Sequence, residues 1–317
     1  MELNSKIFVA GGSGLVGSAI VGCLNKKGYI NILAPPHAEL ELMDNKAVAE
    51  YFSFNKPEYV VLAAAKVGGI IANSKFPADF IYSNLVIQNN IIHQSYLNDV
   101  ERLIFLGSSC IYPKYSPQPI KEEYLMTGSL EPTNAPYAVA KIAGIEMCWA
   151  YNKQYGTRFI PVMPTNLYGS NDNFDLETSH VLPALIRKFH IAMLNGEDSL
   201  TIWGTGSPKR EFLHSDDLAS AVVHLLNIPD NMFSFQNNPL FNIGSGEEVS
   251  ILELADIIKE IVGFRGKIVL DTSKPDGTPR KLLDTSRIEE LGWKATIDLR
   301  QGIDNVYRSY EYKLQII

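Results

Sequence analysis

Tyr137 and Lys141 stand four residues apart in Tyr-Ala-Val-Ala-Lys-Ile-Ala, a run of good helix formers, so both side chains fall on one helix face. Of the fifteen tyrosines only Tyr137 has a lysine at this spacing. A free phenol titrates near pH 10, and bringing one to about 7 takes ~4 kcal/mol of preferential stabilisation of the phenolate, much of which a neighbouring ammonium can supply. The pair is therefore equipped to give a proton to a carbonyl oxygen, and Ser108, in the turn Gly107-Ser108-Ser109, offers a hydroxyl to the same oxygen. An amphipathic helix beside a polar turn would carry the same residues, so the chemistry depends on what stands upstream.

Upstream is Gly11-Gly12-Ser13-Gly14-Leu15-Val16-Gly17, directly after the β-type run Lys6 to Ala10 and directly before apolar residues at helical spacing from Leu15 to Lys27. Strand, glycine turn and helix in this order are the context of a dinucleotide site rather than of a mere tight turn: glycines let the backbone approach a pyrophosphate, whose charge the free N–H groups of the helix N-terminus stabilise. With a nicotinamide in place, Tyr137 is expected to protonate the carbonyl as hydride reaches its carbon, with Lys141 also holding the nicotinamide ribose. After the second strand an NAD site places an acid for the ribose 2′-OH, but Ile32-Leu33 leads into Ala34-Pro35-Pro36-His37. The missing acid favours a 2′-phosphate and hence NADP, with His37 as a pH-dependent partner in place of an arginine.

Further strands are expected at Ile30 to Leu33, Tyr59 to Leu62, Arg102 to Gly107 and Arg158 to Met163, with helix-length segments between them. Such alternation predicts an α/β fold, a Rossmann-type doubly wound parallel sheet whose ligands lie beyond the carboxyl ends of its strands. Past about Thr165 the alternation loosens, with Gly and Pro clusters at 204–208 and 274–279. The expected division is 1–165 with 212–238 as the cofactor domain, the segment Phe212 to Leu226 returning to it, and 166–211 with 239–317 as a smaller α/β substrate lobe.

The 317 residues carry a net charge of −7 and 46% hydrophobic residues, which argues for a globular chain and against a sequence-independent nucleic-acid binder. No apolar run approaches the roughly 20 residues of a membrane span, and Met1 to Lys6 passes into a strand without a signal-type apolar region. Cys23, Cys110 and Cys148 are too few and too scattered for a disulfide framework or a metal site. A cytoplasmic protein without a metal is the expectation.

Several segments carry a more specific resemblance. The glycine turn, Ala63-Ala64-Ala65, Ser108, Tyr137 and Lys141 resemble those of extended short-chain dehydrogenases. Lys66 to Ile70, Gly107 to Pro113, Glu131 to Tyr137, Pro164 to Gly169, Asn171 to Phe174, Ser179-His180, Trp203 to Gly206 and Lys274 to Arg280 are similar to the GDP-L-fucose synthase family over nearly the whole chain. That resemblance implies epimerisation of GDP-4-keto-6-deoxy-D-mannose at C3 and C5, then NADPH-dependent reduction at C4. It implies Cys110 as base and His180 as acid in the first step. It places Leu106, Gly107, Pro164, Asn166, Leu167 and His180 beside the cofactor, and Lys188, Trp203, Arg210 and Asp276 on the nucleotide sugar. It also implies a homodimer, for which Asp79 to Leu97 is the candidate face. Two departures bear on the cofactor: His37 and Gly12-Ser13 stand where bacterial members often carry basic residues. A retaining 4-epimerase would call for the missing ribose acid, a 4,6-dehydratase for an acid beside Ser108 where Ser109 and Cys110 stand, and a non-catalytic NADP sensor would not need Tyr137 and Lys141.

Overall fold

The computed structural model describes residues 1–316 apart from Glu177 and Pro275, so Pro275 of the Lys274–Arg280 segment lies outside the described residues. The first half runs β1 (Lys6–Ala10), α1 (Leu15–Lys26), β2 (Asn31–Leu33), α2 (Asn45–Asn55), β3 (Tyr59–Leu62), α3 (Ile70–Lys75), α4 (Pro77–Leu97), β4 (Arg102–Leu106), α5 (Ala135–Tyr155) and β5 (Phe159–Pro164). It continues with β6 (Asn166–Tyr168), α6 (Val181–Leu194), β7 (Ser199–Trp203), β8 (Lys209–His214), α7 (Ser215–Asn227), β9 (Phe241–Ile243) and β10 (Glu248–Ser250). The last elements are α8 (Ile251–Val262), β11 (Lys267–Asp271), β12 (Arg280–Lys281), α9 (Ser286–Glu290) and α10 (Leu299–Ile316).

Strands β3 and β4 are buried along their whole length because helices cover both sheet faces, so β3 reads as an unbroken apolar run and β4 as one from Leu103 onward. Side chains alternate between the faces: Ile7, Val9, Val61 and Ile104 pack with Ile20 and Leu24 of α1 and Leu218 and Val222 of α7. Phe8, Ala10, Val60 and Phe105 pack on the other side with Val48 and Phe52 of α2, Ile91 of α4 and Ile145 of α5. All pairings in this sheet are parallel, in the order β2-β1-β3-β4-β5-β9. The direction of winding reverses between β1 and β3, so a crevice opens above that junction, directly over the glycine turn.

The smaller lobe is built on β10-β8-β12, with β6 alongside β8, and on a separate β7–β11 ladder. Its core joins Leu182, Ile186 and Phe189 of α6 to Leu254 and Ile258 of α8 and to Ile303, Val306 and Tyr307 of α10. The sequence division assigned 239–317 to this lobe, yet β9 forms the edge of the large sheet through Val162↔Phe241 and Pro164↔Ile243. Ile288 and Trp293 enter the same large core. A three-residue strand carries too short an apolar pattern to reveal which sheet receives it.

Buried polar groups fasten the two lobes. Glu211, fully buried, accepts Gly246 N–H at 2.8 Å and Leu283 N–H at 3.1 Å. Asn242 donates to the carbonyls of Ile120 (2.9 Å) and Asp284 (3.0 Å) while its own N–H donates to Glu122. Burial pushes both carboxyls, Glu122 and Glu211, above the usual range, as their enclosed positions require. Among the described residues no helix is long and apolar enough to cross a membrane.

Candidate active site

The glycine turn is too compact for a side chain at Gly11, Gly12 or Gly17. Gly11 has φ +84°, a left-handed conformation, and a methyl group there would lie 2.8 Å from Ala64 backbone atoms. A methyl at Gly17 would come within 2.0 Å of the Gly11 carbonyl oxygen, and one at Gly12 within 2.7 Å of the Ala34 side chain. Gly14 caps α1 without a side-chain hydrogen bond, and no acid stands in the first turn, so among the described residues no side chain competes with an anion for the first N–H groups of the helix. Ser13 and Gly14 are exposed at the tip. These features fit a dinucleotide pyrophosphate. At the end of β2, His37 is exposed and pairs with Glu41 at 2.8 Å, so the residue expected at a 2′-phosphate already has a carboxylate partner.

At the carboxyl end of β4, Gly107 packs on β5: its N–H donates to Val162 O at 2.8 Å, and a methyl there would meet Met163 at 2.1 Å. Leu106 is buried, and its carbonyl accepts the Lys141 ammonium at 2.8 Å. Helix α5 begins after Asn134 with Pro136 in its first turn, which sets Tyr137 and Lys141 on the face turned to β4. The Tyr137 ring lies 6.4 Å from Phe80 edge-on and 5.9 Å from the Lys141 ammonium. Ser108 Oγ accepts the Cys110 N–H at 3.4 Å, and the Ser108 hydroxyl acts on the Tyr137 phenol. Pro164, at the end of β5, pairs with Ile243; Asn166 donates to Glu211 O at 2.8 Å, and Leu167 packs on the large core beside them.

The electrostatics differ from the sequence expectation. Burial, then the charge of Cys110, pushes the Tyr137 phenol up, with Ser108 opposing, and burial pulls Lys141 down to about 8. Burial disfavours the charged form of each group, the phenolate of Tyr137 and the ammonium of Lys141. Tyr137 is thus held protonated, the form that a proton donor requires. Burial likewise raises the Cys110 thiol, against which Lys281, Ser108 and Lys141 act. His180 caps α6 without a side-chain hydrogen bond; its residue is exposed, yet the protein around the ring desolvates it enough to lower its pKa. Its segment meets the Lys66–Gly69 loop, where Gly69 N–H donates to Thr178 O at 3.2 Å.

The four residues expected on the nucleotide sugar form one corner of the smaller lobe. Lys188 lies 5.8 Å from the ring of Trp203, which is 60% exposed, and Lys274 approaches the same ring at 5.6 Å. Asp276 accepts from Thr205 N–H at 2.9 Å and from Thr205 Oγ1 at 2.8 Å, so both its oxygens are engaged in holding the Trp203 loop. Arg210 borders Gly277, where a methyl would lie 3.1 Å from its guanidinium, and burial lowers its pKa. Across the β8–β12 pairing Arg210 stands opposite Lys281. Sequence reading missed Lys281, which directly follows the Lys274–Arg280 segment. Its one local signal is that position.

A parallel Rossmann sheet, a glycine turn at its switch point and Tyr137, Lys141 and Ser108 gathered at the carboxyl end of β4 define a dinucleotide-dependent enzyme of the short-chain dehydrogenase type. The chain belongs to the NAD dependent epimerase/dehydratase family, whose pattern matches residues 7–244. GDP-L-fucose synthase 1 of Arabidopsis thaliana is 57% identical over 309 residues, covering 98% of this chain and 94% of that protein. GDP-L-fucose synthase of Escherichia coli K12 is 49% identical over 308 residues, 96% of each chain. Among solved structures, NADP-bound MlghC, the GDP-mannoheptose C4 reductase of Campylobacter jejuni, superposes with a TM-score of 0.90 at 45% identity, covering 98% of this chain and 99% of that one.

Proposed function

We propose that the chain converts GDP-4-keto-6-deoxy-D-mannose to GDP-L-fucose, epimerising C3 and C5 and then reducing C4 with NADPH. The observation that carries this reading is the meeting of Tyr137, Ser108 and Cys110 at one point, in a chain similar along nearly its full length to the synthases of Arabidopsis and E. coli. The C4 ketone acidifies both neighbouring carbons. Cys110 as thiolate takes a proton from C3 or C5, and the electron pair moves onto the C4 oxygen, where Ser108 and Tyr137 stabilise the enolate by hydrogen bonding. His180 returns a proton on the opposite ring face. When bound, NADPH supplies hydride to C4. Tyr137 then gives its proton to the C4 oxygen, and Lys141 stabilises the phenolate left behind.

Gly11 to Gly17, His37, Leu106, Gly107, Pro164, Asn166, Leu167 and Lys141 hold the cofactor in this reading, and Lys188, Trp203 and Arg210 hold the GDP moiety by charge and stacking. Asp276 acts on it through the Trp203 loop. The protein works in the cytoplasm as a homodimer through α4 and α5, on which Tyr82 (63% exposed), Leu97 (54%) and Tyr155 (46%) present apolar surface.

The likeness to a C4 reductase favours one other reading, reduction without epimerisation. Following NADPH oxidation with GDP-4-keto-6-deoxy-D-mannose in D2O, with the product identified by NMR, separates them. GDP-L-fucose carrying deuterium at C3 and C5 from the native protein, lost with Cys110→Ala, is the expected result. NADPH consumption with no deuterium at either carbon would leave only the reductase.

A further inference from the structure

We propose that Lys281 is a positioning residue for the epimerisation base: its ammonium, presented by β12 toward Cys110, stabilises the thiolate that removes the C3 and C5 protons. The inference rests on the reading of Cys110 as that base.

The backbone around Lys281 is clamped on both sides. Lys209 N–H donates to Pro279 O at 2.9 Å, and Lys281 pairs with Arg210 across the β8–β12 ladder. Leu282 N–H donates to Gln118 Oε1 at 2.8 Å, Ile120 N–H to Leu282 O at 2.8 Å, and Leu283 N–H to Glu211 at 3.1 Å. Residues 118–120 belong to the same β4–α5 connection that carries Cys110. Neighbouring side chains on a strand point to opposite sides. Arg280 turns to Glu248 at 2.7 Å, so alternation puts Lys281 on the other side of β12, where it is enclosed with Arg210 and Cys110 acting on it. Among the described residues the Lys281 ammonium has no hydrogen bond or ion pair, whereas Lys209 and Arg280 share Glu248. Lys141, the other cation near the thiol, is already held by the Leu106 carbonyl.

The charged and titratable groups acting on Cys110 are Lys281 from β12 and Lys141 and Tyr137 from α5. Lys281 is the strongest opponent of the burial that raises the thiol. It feels the reciprocal influence, pulled down by burial and by Arg210 and up by Cys110. The proton taken from carbon passes to Sγ and the electron pair to the C4 oxygen. Lys281 neither gains nor loses a proton.

The test is site-resolved alkylation of Cys110 by iodoacetamide across pH, read by peptide mass spectrometry to separate it from Cys23 and Cys148, in native protein, Lys281→Met, Lys281→Gln and Lys281→Arg. Removal of the charge is expected to move the alkylation midpoint upward by about one pH unit, a roughly tenfold slower reaction at neutral pH. Lys281→Arg should restore the native profile. Deuterium wash-in at C3 and C5 without NADPH should show the same displacement in its pH profile. An unmoved alkylation midpoint in both neutral variants overturns the proposal. A raised KM for the nucleotide sugar with that unmoved midpoint would instead make Lys281, with Arg210, a seat for the diphosphate. Retention of wash-in by Cys110→Ser would refute Cys110 as base, while the alkylation profile still decides whether Lys281 controls the thiol.

Discussion

Asp172 offers a quantitative test of how the structure treats a buried carboxyl. It lies in the turn between β6 and α6, where its N–H donates to Gly169 O at 3.1 Å and its Oδ1 accepts Asn173 N–H at 2.8 Å. Among the described residues Oδ2, which is buried, has no hydrogen-bond partner. Burial raises this carboxyl from 3.8 to about 7. Between those values the native state keeps a proton that the unfolded chain has lost, so stability falls as pH rises through the window and levels off above about 7. A gap of roughly three pH units amounts to ~4 kcal/mol in full, of which ~3 kcal/mol falls between pH 4.5 and 7.5. Asp172→Asn keeps the Oδ1 acceptor and the shape of the protonated acid but cannot ionise. Urea unfolding of both proteins at pH 4.5, 6 and 7.5 should show the variant gaining on the native protein by that ~3 kcal/mol over the series. Parallel stability curves, with a difference constant to within about 0.5 kcal/mol, would refute the reasoning and mean that water or a rearranged turn solvates Oδ2.

Gly17→Ala places a methyl 2.0 Å from the Gly11 carbonyl oxygen, so the turn must move by more than about 1 Å. NADPH affinity, read by fluorescence titration, should fall about 100-fold with far-UV circular dichroism unchanged; near-native affinity would show that these N–H groups do not hold the pyrophosphate. Asp276→Ala removes two hydrogen bonds to Thr205, each contributing ~1 kcal/mol, and frees the Trp203 loop. KM for the nucleotide sugar should rise roughly 5- to 30-fold with kcat less affected. An unchanged KM would remove the Trp203 loop from substrate binding.

Much of the fold was legible in the sequence because its signals are local. Alternating apolar runs and helical spacing located β1, β3, β4 and β5 to within a residue or so, and the glycines before Leu15 marked the turn at the switch point. Spacing likewise put Tyr137 and Lys141 on one helix face, since a helix fixes neighbours four apart whatever surrounds it. Spacing could not supply the environment. The same sequence reading that paired the two residues expected a phenol brought toward neutrality, whereas enclosure raises Tyr137 and lowers Lys141.

The family resemblance named Cys110 and His180, but how Cys110 is tuned depends on groups far from it along the chain. Lys281 comes to it only because β12 pairs with β8 in one register and its neighbours hydrogen-bond residues 118–120. The docking of β9 on β5 and the tie between Asp276 and Thr205 are decided in the same way. Each side chain's periodicity records which face it presents; the sequence by itself determined those faces, the glycine turn and the order of strands and helices. Which distant face each one meets, and therefore its dielectric and its charges, follows from strand register and burial, which only the tertiary structure decided.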